Sequence, residues 1–258
     1  MAASFAVSKD GVLIAYDVTG TGPALILLHG GAQSRRVWHD AGYVARLRDH
    51  FTVITMDIRG NGESDKPTDA ALYGIDRLTD DILAVADGAH AERFSLWGYS
   101  YGGNVGRYLS RRSDRVTTTI IMGVGFGAAA PGRFRDYALG LREKWKPVIE
   151  ADRAGTLDVG SLSDQERALW QKGNIPLTVA QLSAILDWPP IEPADLRCPT
   201  LWVVGSANEN AMPNAQEYQD TLPGTNVTLH VLPGLTHVEE LTRIDDVLPP
   251  MLRFMSTS

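Results

Sequence analysis

The residues with the plainest chemical potential are Gly98-Tyr99-Ser100-Tyr101-Gly102, which directly follow a short apolar run and directly precede a helical pattern. A serine hydroxyl is a weak nucleophile until a base takes its proton. A sharp strand-to-helix turn presents such a serine: Oγ projects at the end of the strand, and the helix N-terminus stabilises developing negative charge. Small neighbours let the backbone fold that tightly, and Gly103 extends the relief by one residue. The plain alternative is a Gly-rich turn with an incidental serine, and the order strand, turn, helix weighs against it.

A serine so placed needs a base and an oxyanion site. The expected base is His237 in Gly234-Leu235-Thr236-His237, directly after the apolar run Val227 to Val231. His39, His50, His90 and His230 have no matching place at a strand end. Acyl transfer also needs two backbone N–H donors aimed at the tetrahedral oxygen. Tyr101, after the nucleophile, is expected to supply one. Gly31 of His29-Gly30-Gly31, which closes the run Ala24 to Leu28, is expected to supply the other. His29 itself is expected to orient this loop by hydrogen bonding.

The elements that must position these residues are legible as periodicity. Phe5 to Ser8 and Val12 to Val18 flank Lys9-Asp10-Gly11, a hairpin signature. Continuous apolar runs follow at Ala24 to Leu28, Phe51 to Met56, Phe94 to Trp97, Val116 to Met122, Leu201 to Val204 and Val227 to Val231. Continuous runs are characteristic of strands buried on both faces of a parallel sheet. Helical patterns lie between them at Ile75 to Ala89, Tyr101 to Ser110, Asn214 to Leu222 and Val238 to Phe254, the last with a break expected at Pro249-Pro250. The fold class is therefore α/β, a mostly parallel doubly wound sheet led by an antiparallel hairpin.

One stretch departs from the alternation. Between Gly125 and about Pro193 there are three helical patterns, roughly Phe134 to Ala154, Ser163 to Lys172 and Thr178 to Asp187, and no strand. The division expected is a core of residues 1–124 and 194–258, with 125–193 inserted as a helical lid over one end of the sheet. Tyr99, Phe126, Trp145 and Trp188 each read singly as ordinary core, and together they suggest an apolar substrate pocket beneath it.

Composition narrows the classes. The 258 residues, 44% hydrophobic and 21% charged, are ordinary for a globular chain. A formal net charge of −7 argues against a nucleic-acid surface. Cys198 is the single cysteine, so no intrachain disulfide or CxxC site can form, and a buried packing role is expected for it. No run approaches the roughly 18 apolar residues of a membrane span. The start of the chain lacks a signal-peptide pattern. A cytoplasmic protein without metal or cofactor, acting on a small molecule and not on nucleic acid or membrane, is expected. Oligomeric state is left open.

Five signatures occur in order: His29-Gly30-Gly31, Asp57-Ile58-Arg59-Gly60-Asn61-Gly62-Glu63-Ser64, Gly98-Tyr99-Ser100-Tyr101-Gly102-Gly103, Pro199-Thr200-Leu201-Trp202-Val203-Val204-Gly205 and Gly234-Leu235-Thr236-His237. With them the chain resembles the α/β-hydrolase superfamily, in its branch of lidded serine esterases and lactonases. The resemblance spans roughly Phe5 to Phe254. It implies a Ser–His–acid triad and, because the nucleophile is serine, disfavours the aspartate-nucleophile dehalogenases and epoxide hydrolases. Asp57 and Arg59 fit a structural turn and ion pair.

The chain departs from the family at the acid. The resemblance implies an acid three residues after Gly205, and Asn208 stands there, with Glu209 next. The second family location, near Gly123-Val124-Gly125, holds no carboxylate. Three readings stay open: Glu209 is the acid, which is the choice carried forward; Asn208 orients His237 as a neutral amide; or the site is weakened, repurposed or altered at this residue. The implied activity is cofactor-free hydrolysis of a small carboxylic ester or lactone through an acyl-enzyme on Ser100. The same triad on this fold also serves carbon–carbon bond hydrolysis, perhydrolysis, cyanohydrin cleavage or a slow ligand receptor.

Overall fold

The apolar runs become eight strands of one sheet: β1 (Ser4–Val7), β2 (Leu13–Thr19), β3 (Ala24–Leu28), β4 (Thr52–Met56), β5 (Phe94–Tyr99), β6 (Val116–Met122), β7 (Thr200–Gly205) and β8 (Val227–Leu232). The computed structural model describes residues 3–172 and 174–257. Strand order is β1-β2-β4-β3-β5-β6-β7-β8. The pairs β1/β2 and β2/β4 are antiparallel, and every other neighbouring pair is parallel. This is the mostly parallel sheet led by a hairpin that the periodicity predicts.

The order has a functional consequence. β4 lies on one side of β3 and β5 on the other, so the chain reverses its direction across the sheet at β3. Open α/β sheets bind ligands at the carboxyl ends of strands at such a switch point. Leu28 of β3 is in register with Gly98 of β5. The loop after Leu28 and the turn at Ser100 therefore emerge side by side.

Helices connect the strands: α1 (Arg36–Asp40), α2 (Tyr43–Leu47), α3 (Ile75–Gly88), α4 (Tyr101–Arg112), α5 (Gly132–Arg153), α6 (Asp164–Gln171), α7 (Ile175–Ile185), α8 (Met212–Tyr218), α9 (Glu239–Thr242) and α10 (Ile244–Thr257). No helix among the described residues is long and apolar enough to cross a membrane. On one face of the sheet Leu25, Leu27, Trp97, Ile120, Met122, Leu201 and Val203 pack with Trp38 and Tyr43 of α1 and α2 and with Val247, Leu248 and Met251 of α10. Trp38, Tyr43 and Trp97 meet edge to face, with centroids 5.1 to 5.7 Å apart. That is the favoured arrangement for aromatic quadrupoles. Cys198 is buried, its Sγ 3.4 Å from Thr119 Oγ1, in the packing role expected.

The sequence misplaces one helix break. Pro249 and Pro250 lie inside α10, and the interruption falls at Arg243 (φ −89°, ψ 59°). Proline removes the bonds to carbonyls four residues back, here those of Asp245 and Asp246, which are both exposed.

The chain divides into two compact units, Met1–Asp65 with Asp76–Gly127 and Pro190–Ser258, and Lys66–Ile75 with Ala128–Pro189. The inserted unit is thus bounded slightly inside 125–193 and also recruits the short segment before α3. In the first unit Gly127 and Ile191 pair through backbone bonds of 2.8 and 3.1 Å. The second unit has its own apolar cluster, with Trp145, Ile149 and Val179 at its centre.

The loop Asp57 to Ser64 is held by buried ions. The Asp57 carboxylate accepts the Arg35 N–H at 2.6 Å and the Glu63 N–H at 2.8 Å, and pairs with the Arg35 guanidinium. Gly62 (φ +51°) packs so tightly on Asp57 that a Cβ would overlap the carboxylate. Arg59, fully buried, is shared by Asp81 at 2.6 Å and Asp10 at 2.7 Å. Both residues of the anticipated turn thus form ion pairs, with other partners than each other. Arg59→Met strands the buried Asp81 charge and should lower unfolding free energy by about 3–5 kcal/mol. Arg59→Met combined with Asp81→Leu should cost clearly less, as read from urea midpoints; equal losses would refute the ion-pair account.

Candidate active site

Ser100 stands between β5 and α4 with φ 52° and ψ −118°, a conformation L-residues avoid. Packing enforces it. A Cβ on Gly98 would lie 2.3 Å from the Gly102 carbonyl oxygen, and one on Gly102 would lie 2.3 Å from that of Leu28. The Ser100 N–H donates to the Met122 carbonyl (2.8 Å), tying the turn to β6. Its hydroxyl makes no capping bond to α4. It lies instead 3.0 Å from His237 Nε2.

His237 follows β8 in the loop leading to α9. Its ring stacks on Tyr99 (centroids 5.0 Å, 22°), and the Tyr99 hydroxyl donates to the His237 carbonyl at 2.8 Å. Burial, then the nearby Glu240 charge, pushes the Tyr99 phenol up to about 12, so it remains a donor. Tyr99 holds the imidazole from behind.

The carboxylate beside the imidazole is Glu240, which the sequence analysis missed. Its Oε2 lies 3.1 Å from His237 Nδ1 and its side chain is wholly buried. Its Oε1 accepts the Gly205 N–H at 2.6 Å and the Asn208 amide at 2.9 Å. Two glycines make room for it. A Cβ on Gly123 (φ +76°) would lie 2.5 Å from Glu240 Oε2 and 2.8 Å from the imidazole, and one on Gly205 would lie 3.2 Å from Glu240 Oε1. The carboxylate therefore sits between the ends of β6 and β7, with its backbone on neither. One signal could have found it: residues three apart on a helical turn share a face. His237 and Glu240 turn inward, while Val238 is exposed and Glu239 accepts the Thr236 N–H at 2.9 Å.

Glu209, the acid expected, is exposed, and the carboxylate in contact with His237 is that of Glu240. The reason is local. Asn208 Oδ1 accepts the N–H groups of Asn210 and Ala211, both at 3.1 Å, which turns the chain into α8 and throws Glu209 outward. Asn208, by contrast, is 1% exposed and its Nδ2 lies 3.2 Å from His237 Nδ1.

His29 is buried, with Nδ1 2.7 Å from the Gly30 carbonyl and Nε2 3.1 Å from the Ile58 N–H. Nε2 must accept from the amide, so Nδ1 carries the proton and donates. Burial pushes this imidazole down, keeping it neutral. The loop it orients leaves Gly31 exposed beside Tyr101, a Cβ on Gly31 falling 3.8 Å from that of Tyr101.

The four residues that together suggest a pocket are spent on packing. Tyr99 backs His237. Phe126 is 2% exposed and meets Trp202 edge-on at 4.8 Å. Trp145 is 1% exposed and stacks on Trp170, and Trp188 is buried with its indole N–H on the Tyr73 carbonyl. Large aromatic side chains yield most when fully removed from water, which is why core packing claims them. Among the described residues, no group of three or more His, Cys, Asp and Glu is arranged to hold a metal ion.

A family model described as alpha/beta hydrolase fold matches residues 23–237. A pimeloyl-[acyl-carrier protein] methyl ester esterase of Nitrosomonas europaea is 30% identical, over 70% of this chain and 73% of that protein. An uncharacterized protein of Mycobacterium bovis is 33% identical over 42% of this chain, and the match spans only 30% of that relative's length. Among solved structures, a thermophilic esterase from Thermogutta terrifontis superposes with a TM-score of 0.75 at 20% identity, covering 100% of this chain and 99% of that one.

Geometry alone predicts which carboxylate His237 feels. The His237 ring N–H should give a slowly exchanging, downfield proton resonance that vanishes in Glu240→Ala and persists in Glu209→Gln. The reverse would return the acid to position 209.

Proposed function

The chain belongs to the α/β-hydrolase fold family, and from that premise we propose that it is a serine hydrolase of small carboxylic esters or lactones, using Ser100, His237 and Glu240. Hydrolysis as the reaction class is supported by its relatives. The observation that carries the finer reading is the 3.0 Å approach of His237 Nε2 to Ser100 Oγ while Nδ1 faces the Glu240 carboxylate. A carboxylate acceptor at Nδ1 selects the tautomer whose Nε2 is free to accept a proton.

In the proposed cycle Nε2 takes the Ser100 proton as Oγ attacks the carbonyl carbon. The Gly31 and Tyr101 N–H groups hold the oxyanion, with Tyr101 adding the field of the α4 N-terminus. Collapse expels the alcohol, or opens the lactone ring, as the imidazolium returns the proton. The acyl-enzyme is an ester, so water deprotonated by His237 releases the acid and restores Ser100. The nucleophile's chemistry favours acyl substrates. Ring opening of an epoxide by a serine would leave an ether that this machinery cannot hydrolyse. The methyl ester esterase among the relatives points the same way.

Short-chain aryl esters should be hydrolysed by the purified protein, and a fluorophosphonate should label Ser100 stoichiometrically. Ser100→Ala should lose about 10⁴-fold or more in kcat, and Glu240→Gln about 10²–10⁴-fold with KM little changed. Undiminished turnover by Ser100→Ala would end the assignment.

A further inference from the structure

Asn208 occupies the place where the family's acid is expected, 2.9 Å from the carboxylate that has taken over. Its orientation is determined by its neighbours. Oδ1 is committed to the N–H groups of Asn210 and Ala211, so the amide NH2 must face Glu240 and His237. Nδ2 lies nearly as close to His237 Nδ1 as to Glu240 Oε1. Two N–H groups cannot donate to each other. With Nδ1–H directed at Glu240 Oε2, the Asn208 amide donates to Oε1, and the 3.2 Å approach to Nδ1 is contact without a bond.

On the triad proposed above, we infer that Asn208 is a positioning residue whose neutrality is essential: it anchors Glu240 against His237 and keeps a second carboxylate out of the site. Two carboxylates at this separation share a proton and titrate as one unit. A second negative charge would also hold the proton more tightly on the imidazole, which then could not accept one from Ser100. The remaining groups packed around the pair carry no charge that could offset it. They are Tyr99 of β5, a neutral phenol, Gly123 after β6, Gly205 at the end of β7 and Ser100. Glu209 is exposed, and the half-buried Glu239 is turned to the Thr236 N–H and hydroxyl. The asparagine is then the complement of a displaced acid.

The inference further implies that the charge can be moved. The atoms at position 208 already lie within 3.2 Å of His237 Nδ1, so an acid there and an amide at 240 would present the same total charge to the ring.

The test uses the whole protein and the pH dependence of kcat/KM on an aryl ester between about pH 5 and 9. Asn208→Asp keeps an oxygen for the Asn210 and Ala211 N–H groups. It should lose about tenfold or more near neutral pH, through kcat, with its acid limb moved up by about one unit. The exchange variant Asn208→Asp/Glu240→Gln should recover most of that loss and return the limb to its parental place. Asn208→Asp with parental rate and limb, beside an impaired Glu240→Gln, overturns the inference and leaves the triad standing. A fully active Glu240→Gln overturns the triad itself. Should Asn208→Asp fail to fold by circular dichroism, the exchange variant decides: active and folded supports the inference, while folded but as slow as Glu240→Gln, or unfolded, overturns it.

Discussion

A wholly buried carboxylate is costly to desolvate unless donors surround it, and the active edge of this sheet is arranged around that demand. Glu240 receives the Gly205 N–H from the end of β7, the Asn208 amide from the following turn and the His237 ring from the loop after β8. Two segments distant in sequence, 205–208 and 237–240, are thereby joined at one carboxylate. Gly123 and Gly205 leave the space it fills, and the left-handed φ of Gly123 lets the chain pass beneath the imidazole. His237 gains a fixed orientation from this arrangement and a second restraint from the stacked Tyr99 ring.

Ser100 is held by different means. Backbone crowding between β3, β5 and α4 forces Ser100 into its unfavourable conformation, and the cost is met by core packing on both faces of the sheet. Next to it, neutral His29 and the Asp57–Arg35 pair hold the loops that flank the switch point. These supports leave Ser100 half-buried, with its hydroxyl 3.0 Å from His237 Nε2.

Placing His237 and Glu240 three residues apart, in the turn that leads into α9, has its own logic. Their separation depends on that turn more than on the alignment of two strand ends. The missing carboxylate at position 208, taken alone, suggested a weakened enzyme or a slow receptor. The structure places another carboxylate, that of Glu240, in contact with His237, and the Asn208 amide donates to it.

The order of strands, the hairpin, the turn at Ser100, the loop at Gly31 and the histidine after the last strand were all legible in the chain. Each depends on local rules: strand and helix periods, glycine where φ or crowding demands it, residues at strand ends. The acid was not legible in the same way, because both expected positions lie at strand ends while the carboxylate reaches the gap between them from a helix. The aromatic residues stood between core and pocket for a similar reason. Periodicity marks Phe126, Trp145 and Trp188 as apolar, and only packing decides whether such a ring faces a neighbour or a ligand. By itself, then, the sequence determined the fold and the places of Ser100 and His237 at strand ends, since these are carried by short-range spacing. The tertiary structure decided which of several carboxylates meets the imidazole, because that choice depends on burial and on contacts between β6, β7 and α9 that no local pattern encodes.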